Sequence, residues 1–94
     1  MELITEIHRG DKAQQLLENE VYIDSIQKVR TGIISAMQDS ALGDEKTHNR
    51  LVIALQLLTQ IEKQIKEVAT TGKMAKLQLE QQTLRDKFRK AAGF

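Results

Sequence analysis

The sequence predicts an all-α fold, in which an antiparallel helical hairpin is preceded by a short N-terminal helix and followed by a basic C-terminal helix. The 94 residues contain no proline, so the strongest helix breaker is missing. Good helix formers such as Leu, Gln, Lys, Glu and Ala are abundant. Apolar residues recur at steps of three and four, and most of the glycines fall where that pattern stops. Because the chain is short, we expect residues 1–94 to form one domain.

The first segment, residues 1–19, is predicted to hold one short helix. Asp11 follows Gly10 and has a side chain that can cap the first helical turn. The pattern stops near Asn19, where we expect the helix to end. The apolar residues of this helix are Ala13, Leu16 and Leu17.

Residues 20–72 are predicted to form the hairpin. Its first helix has an apolar face with steps of four, three, four and four, made by Tyr22, Ile26, Val29, Ile33 and Met37. Gly32 lies inside this helix, where glycine costs about 1 kcal/mol relative to alanine, and we expect a close backbone approach there. Residues 39–44 read as a turn that ends on Asp44, the N-cap of the next helix. So short a turn makes the two helices antiparallel.

The second helix of the hairpin, Glu45 to about Thr71, carries the residues predicted to form the core and the oligomer interface. These are Leu51, Leu55, Leu58, Ile61 and Ile65. Between Leu51 and Leu58 only Gln56 is polar, so this part of the helix is apolar on nearly every side. One neighbouring helix covers only one side, and a helix that is apolar all round is normally buried. We therefore expect the protein to be a homo-oligomer.

Gly72 is predicted to end that helix, and residues 73–94 to form a separate C-terminal helix. The apolar stripe of this last helix is interrupted at Gln81, so burial within the chain stabilises it poorly. We expect it to dock on a larger protein through apolar and aromatic anchors. The residues predicted to dock are Leu77, Leu84, Phe88 and Phe94.

Charge is unevenly distributed along the chain. Residues 1–72 carry eight basic and eleven acidic side chains, a net charge of −3, whereas residues 73–94 carry six and two, a net charge of +4. A basic helix of this kind can contact nucleic-acid phosphates, or it can be a solvated helix end whose cations complement the helix dipole. A membrane-surface helix is the weakest of the three interpretations. The possible polyanion contacts are Lys73, Lys76, Arg85, Lys87, Arg89 and Lys90.

No arrangement of residues indicates catalysis or a bound cofactor. Without cysteine the chain can form neither a disulfide nor a thiolate metal site. Asp44 and His48 are four residues apart, but zinc sites need three or four ligands, so a capping Asp and a solvated His are favoured. The stretch 71–73 lacks the other positions of a phosphate-binding loop. The sequence predicts a non-enzymatic protein with no cofactor and no metal.

The sequence also predicts no membrane partner. The first residues do not have the pattern of a signal peptide, and the longest apolar stretch, 51–58, is too short to span a bilayer. We expect a soluble protein of the cytoplasm.

Three stretches of the chain resemble short helical proteins encoded by tailed phages. They are residues 13–20 (AQQLLENE), Asp44-Glu45 with Arg50-Leu51, and residues 72–75 (GKMA). Such proteins are encoded among virion-assembly and DNA-packaging genes. The resemblance implies a role in virion assembly or packaging, in the host cytoplasm or in the virion, and it brings no catalytic residues.

Three functional hypotheses follow from these observations. The first is a structural or assembly protein that self-associates and docks on a larger protein assembly. The second is a small nucleic-acid-binding accessory of the packaging-initiation type, which would use the basic C-terminal helix. The third is a helical inhibitor of a host protein. Salt separates the first two, since phosphate contacts weaken steeply with ionic strength and aliphatic burial does not.

Overall fold

The computed structural model describes residues 2–93, which form three α-helices and no strand. Helix α1 covers Glu2–Glu18, α2 covers Glu20–Asp39 and α3 covers Glu45–Ala91. The prediction of an all-α fold is confirmed. The molecule is a rod of 76 × 24 × 17 Å. Helix α3 sets its length, since 47 helical residues span about 70 Å.

Two side-chain caps set the starts of α2 and α3. The Asn19 side chain accepts a hydrogen bond from the Tyr22 N–H at 3.0 Å, and the extended backbone of Asn19 interrupts the helix for one residue. The Asp44 side chain accepts from the Thr47 N–H at 3.2 Å. Hydrogen bonds from the Thr47 hydroxyl and from its N–H hold the pKa of Asp44 below the usual value. The helix end near Asn19 and the cap at Asp44 therefore lie where the sequence predicts them.

Two glycines that were expected to separate helices lie inside helices instead. Gly10 is in the middle of α1 and Gly72 is in α3, which continues to Ala91. The predicted helix start after Gly10, the helix end at Gly72 and the separate C-terminal helix are all wrong. The two glycines lie against each other: a Cβ built on Gly10 would be 2.5 Å from the Gly72 Cα. Both positions need glycine for close backbone contact, and the packing offsets its low helix propensity.

The direction of packing follows from which residues meet. Gly10 lies against Gly72, whereas Leu17, later in α1, borders a cavity with Glu62 and Lys66, earlier in α3. Helix α1 is therefore antiparallel to α3. The same holds for α2, because Arg30 pairs with Glu62 while Met37 borders a cavity with His48. Helices α1 and α2 follow one another along α3.

The chain packs α1 against α3 more closely than it packs α2 against α3. The sequence predicts a body made of the second and third segments alone, with the first segment as an accessory. In the structure the small residues of α1 and α3 make the tightest contact. Ala13 in α1 and Ala69 and Ala75 in α3 are buried beside the glycines.

The inward faces of α2 and α3 differ from the predicted stripes at one position each. Arg30 is half-buried and Val29 is exposed, and Glu62 is half-buried while Ile61 is exposed. The Arg30 guanidinium donates a hydrogen bond to the Glu62 carboxylate, so the two charges neutralise each other at the contact. The long stem of Arg30 can pack on apolar neighbours while its charged end is paired. Tyr22, Ile26, Ile33 and Met37 are half-buried, as predicted.

The core of the described chain is thin. Its buried hydrophobic residues are Ala13, Leu58, Ala69 and Ala75, and no large side chain is fully buried. Many large aliphatic side chains are instead exposed, among them Val29 and Ile34 of α2. A single layer of two helices cannot cover both sides of either helix, so no part of residues 2–93 covers this apolar surface.

Candidate interaction surfaces

The middle of α3 exposes a row of aliphatic side chains, which we call the central ridge: Ile53, Leu57 and Ile61. They are spaced four residues apart and therefore lie on one side of the helix. Their exposed fractions are 54, 59 and 54%. The ridge lies beside the face that α3 turns toward α2, on which Leu58 is buried and Ile65 is half-buried. The helix therefore uses one apolar side within the chain and leaves a second one open.

The residues predicted to form the core and oligomer interface are divided between these two sides. Leu58 is buried, Leu51, Leu55 and Ile65 are half-buried, and Ile61 belongs to the open ridge. The stretch from 51 to 58 is thus apolar all round, as its sequence indicates, and only part of its circumference is covered.

The end of α3 extends beyond the other helices. Glu2, the first residue of α1, lies eight residues before Gly10, so α1 reaches along α3 only to about residue 80. Every residue from 80 to 91 is exposed. We call residues 80–91 the terminal segment. It is regular helix that no other described residue covers, and it ends at Ala92. The Ala92 N–H donates to the Phe88 carbonyl, and the Gly93 N–H donates to the Lys90 carbonyl.

The predicted docking residues lie on the outside of α3. Leu77, Leu84 and Phe88 have exposed fractions of 59, 65 and 79%. Leu84 and Phe88 are one helical turn apart, and together with Arg85, Arg89 and Ala92 they border a shallow depression. The fourth residue predicted to dock, Phe94, lies outside the described residues. The structure therefore brings two apolar anchors and two cations together on the terminal segment.

The predicted polyanion contacts do not all have the same surroundings. The Lys76 ammonium lies 3.3 Å from the Asp11 carboxylate, so this lysine helps to hold α1 against α3. Arg85, Lys87, Arg89 and Lys90 are exposed on the terminal segment. Lys73 is also exposed, next to the buried Gly72. The concentrated positive charge is thus carried by four side chains at the end of the rod.

Among residues 2–93, no three His, Asp or Glu side chains lie close enough to share a metal ion. Asp44 caps α3, and His48 borders the cavity at the turn. None of the described helices is long and apolar enough to cross a membrane. We take the central ridge and the terminal segment as the candidate interaction surfaces of α3.

Sequence reasoning missed the pairing of the two glycines and the Arg30–Glu62 ion pair. A signal for the first was present, because Gly10 and Ala13 are three residues apart, and Ala69, Gly72 and Ala75 repeat that spacing. Small residues at helical spacing on two helices indicate a close contact rather than two helix ends. The ion pair joins residues 32 apart in sequence and had no local signal.

Comparison of the chain with models of known protein families, with curated proteins and with solved structures gave no match.

Proposed function

We propose that the protein is a non-enzymatic assembly protein that self-associates through α3 and docks on a larger protein assembly. The observation that carries the proposal is the uncovered apolar surface of α3. The central ridge and the Leu84–Phe88 pair are large apolar side chains in regular helix, where a monomer gains nothing from exposing them. The resemblance to tailed-phage proteins supports a bacteriophage virion or a DNA-packaging apparatus as the setting.

The two surfaces suit two different roles. The stretch from Leu51 to Ile61 contains no charged residue, so identical copies can meet there without repulsion. The terminal segment carries four cations and two acids, Glu80 and Asp86, and its net charge of +2 means that two copies of it would repel each other. Such a surface fits a partner whose apolar groove is bordered by acidic residues. Self-association at the ridge and docking at the terminal segment are therefore compatible.

Light scattering on the purified protein tests the first half of this proposal. We expect a mass of at least twice 10.7 kDa at micromolar concentration. The mass should be the same at about 0.05 M and about 0.5 M salt, because aliphatic burial does not weaken with ionic strength. A monomer under both conditions, at all concentrations tested, would contradict self-association.

A second candidate function is a nucleic-acid-binding accessory of the packaging-initiation type. It is favoured by the exposure of four basic side chains on the terminal segment: Arg85, Lys87, Arg89 and Lys90. The affinity of binding through four contacts between basic side chains and DNA phosphates would fall steeply between low and moderate salt. Titration of duplex DNA against the wild type and against an Arg85→Gln, Arg89→Gln variant decides between the candidates. Salt-sensitive binding that the variant loses would favour nucleic acid over a protein partner.

A further inference from the structure

We propose that two copies of the chain pack antiparallel through the central ridge, about a two-fold axis close to Leu57, so that their terminal segments lie at opposite ends of the dimer. The inference rests on the self-association proposed above and adds its geometry. It also gives a consequence for function, since such a dimer would carry two docking ends that face away from each other.

The neutral and apolar character of the ridge favours a second copy as its occupant. In a contact about a two-fold axis, a residue on the axis faces its own copy, so a charged group there would be opposed by a like charge. Ile53, Leu57 and Ile61 lie within eleven consecutive uncharged residues, 51–61. The polar residues of this stretch, Gln56, Thr59 and Gln60, can form hydrogen bonds at the edge of the contact.

The orientation of the two copies follows from the charges on either side of the ridge. Lys46 and Arg50 precede Leu57 on the same side of α3. Gln64 follows it on that side, and Glu67 lies at the edge. In a parallel dimer each Arg50 would face the other Arg50, which is repulsive. In an antiparallel dimer Arg50 faces Gln64, and Lys46 lies near Glu67, so opposite charges meet.

The charged residues that border the depression beside Glu67 do not cancel this attraction. Glu67 borders a depression with Gln64, and the charged side chains that α1 contributes to it are Glu6 and Arg9. One acid and one base balance each other there. Glu67 therefore leaves this depression with a net negative charge, which suits Lys46 and Arg50 of a second copy.

The area of such a contact is sufficient for a stable dimer. With the axis at Leu57, the two rods overlap from the turn to about residue 70, a length of about 40 Å. Each rod is 17 Å across its narrow direction. A strip of that width on both copies amounts to roughly 1,300 Å², within the usual range for specific interfaces.

The overlap leaves the rest of each α3 outside the contact. Ala91 lies 34 residues after Leu57, which corresponds to about 51 Å of helix. The outer ends of the two terminal segments in an antiparallel dimer are therefore about 100 Å apart, and each is free to dock. In a parallel dimer both would lie at one end, side by side, with their eight cations close together.

Cysteine cross-linking tests the arrangement, because the wild type contains no cysteine. Arg50→Cys and Gln64→Cys place single thiols seven residues on either side of Leu57. When the two variants are mixed, unfolded together, refolded and oxidised, we expect disulfides between one variant and the other. Each variant oxidised alone should cross-link no more than Leu42→Cys, whose position in the turn is fully exposed.

Small-angle X-ray scattering and Leu57→Glu complete the test. We expect a maximum dimension of about 100 Å for the wild type, against 76 Å for a single chain or a parallel dimer. Leu57→Glu should give a helical monomer, whereas Leu42→Glu should remain a dimer.

The outcomes separate this inference from the proposed function. A dimer in which each variant cross-links to itself would overturn the antiparallel arrangement and leave self-association intact. A dimer that gives no cross-link above the control, or that persists in Leu57→Glu, would exclude the ridge as its interface. A monomeric wild type would overturn the inference and the self-association together.

Discussion

Gly10 and Gly72 lie at the point at which α1 and α3 come closest. The close contact requires glycine at both positions. A Cβ on Gly10 would be 2.5 Å from the Gly72 Cα, and a Cβ on Gly72 would be 2.6 Å from the Gly10 Cα and 3.0 Å from the Glu6 carbonyl oxygen. These neighbours are backbone atoms, so they cannot rotate away as side chains do. The residue with the lowest helix propensity after proline is thus the one that allows these two helices to pack.

Gly10→Ala should lower the free energy of unfolding by about 1–3 kcal/mol, the usual cost of overpacking. Gly32→Ala is the matched control. The close backbone approach predicted at Gly32 is wrong, because this residue lies in the interior of α2 with nothing within 4 Å of its added Cβ. This variant should be more stable than the wild type by about 0.5–1 kcal/mol, since alanine is the better helix former. Urea denaturation at equal protein concentration, followed by the helical circular dichroism signal, measures both changes. Equal effects of the two substitutions would mean that α1 and α3 do not approach closely at Gly10.

The Asp44 cap should make the start of α3 sensitive to acid. Hydrogen bonds from Thr47 stabilise the charged carboxylate and hold its pKa below 3.8 in the folded chain. Its contribution to stability is therefore fully present above about pH 4 and is lost as the pH falls through the lower folded value. Asp44→Asn keeps a capping side chain but has no charge to lose. The melting temperature of the wild type should exceed that of this variant at pH 7, and the difference should narrow below pH 4. A difference that is constant down to about pH 2.5 would contradict the assignment.

At the scale of the elements, α3 has three structural roles along one continuous helix. Its first half packs against α2 and carries the central ridge, its middle packs against α1 around Gly72, and its last turns extend beyond both. The boundary between packed and free helix lies near residue 80 rather than at Gly72. Ala75, after the glycine, is the most buried residue of the hydrophobic core, at 2% exposure.

Truncations of α3 should locate this boundary. Removal of residues 80–94 should leave the helical rod folded, with a loss of helical signal that corresponds only to the missing residues. Removal of residues 73–94 should in addition lower the melting temperature, because it takes away Ala75 and the Lys76–Asp11 ion pair and exposes the α1 face. Thermal melts of the two truncated chains, compared with the full chain, give the result. Equal melting temperatures for the two truncations would show that α1 does not depend on α3 beyond Gly72.

At the scale of the whole molecule, the rod has much surface and little interior. Among the described residues, Leu58 is the one large side chain in the hydrophobic core, and the other buried members are alanines. Chains of this size normally bury a larger share of their apolar surface or add a covalent or metal link. The self-association proposed above would supply the missing interior through the central ridge.

Self-association should make stability depend on protein concentration. The melting temperature of the wild type should rise between about 1 and about 100 µM, because mass action favours the associated folded state. Leu57→Glu should melt at a lower temperature that does not change over this range, whereas Leu42→Glu should behave as the wild type does. Differential scanning calorimetry at several concentrations provides the measurement. A wild-type midpoint that is independent of concentration would contradict an obligate oligomer.

The sequence by itself determined the secondary structure and most of its local boundaries. The lack of proline, the apolar steps of three and four, the helix end near Asn19 and the cap at Asp44 are local features, and helix formation depends mainly on local features. The inward positions of Tyr22, Ile26, Ile33 and Met37 and the all-round apolar stretch at 51–58 could be read in the same way.

Only the tertiary structure decided three features. They are the role of the glycines in helix packing, the residues that face inward at the charged contact, and the part of α3 that extends beyond the other helices. A glycine within a helical pattern indicates a helix end and a close contact equally well, and the choice at Gly10 and Gly72 depends on a partner 62 residues away. Arg30 and Glu62 face each other for the same reason, since neither charge would be buried without the other. The exposed end of α3 likewise depends on how far α1 reaches along it. That distance is set by the register of the two helices, and no residue of the terminal segment determines it.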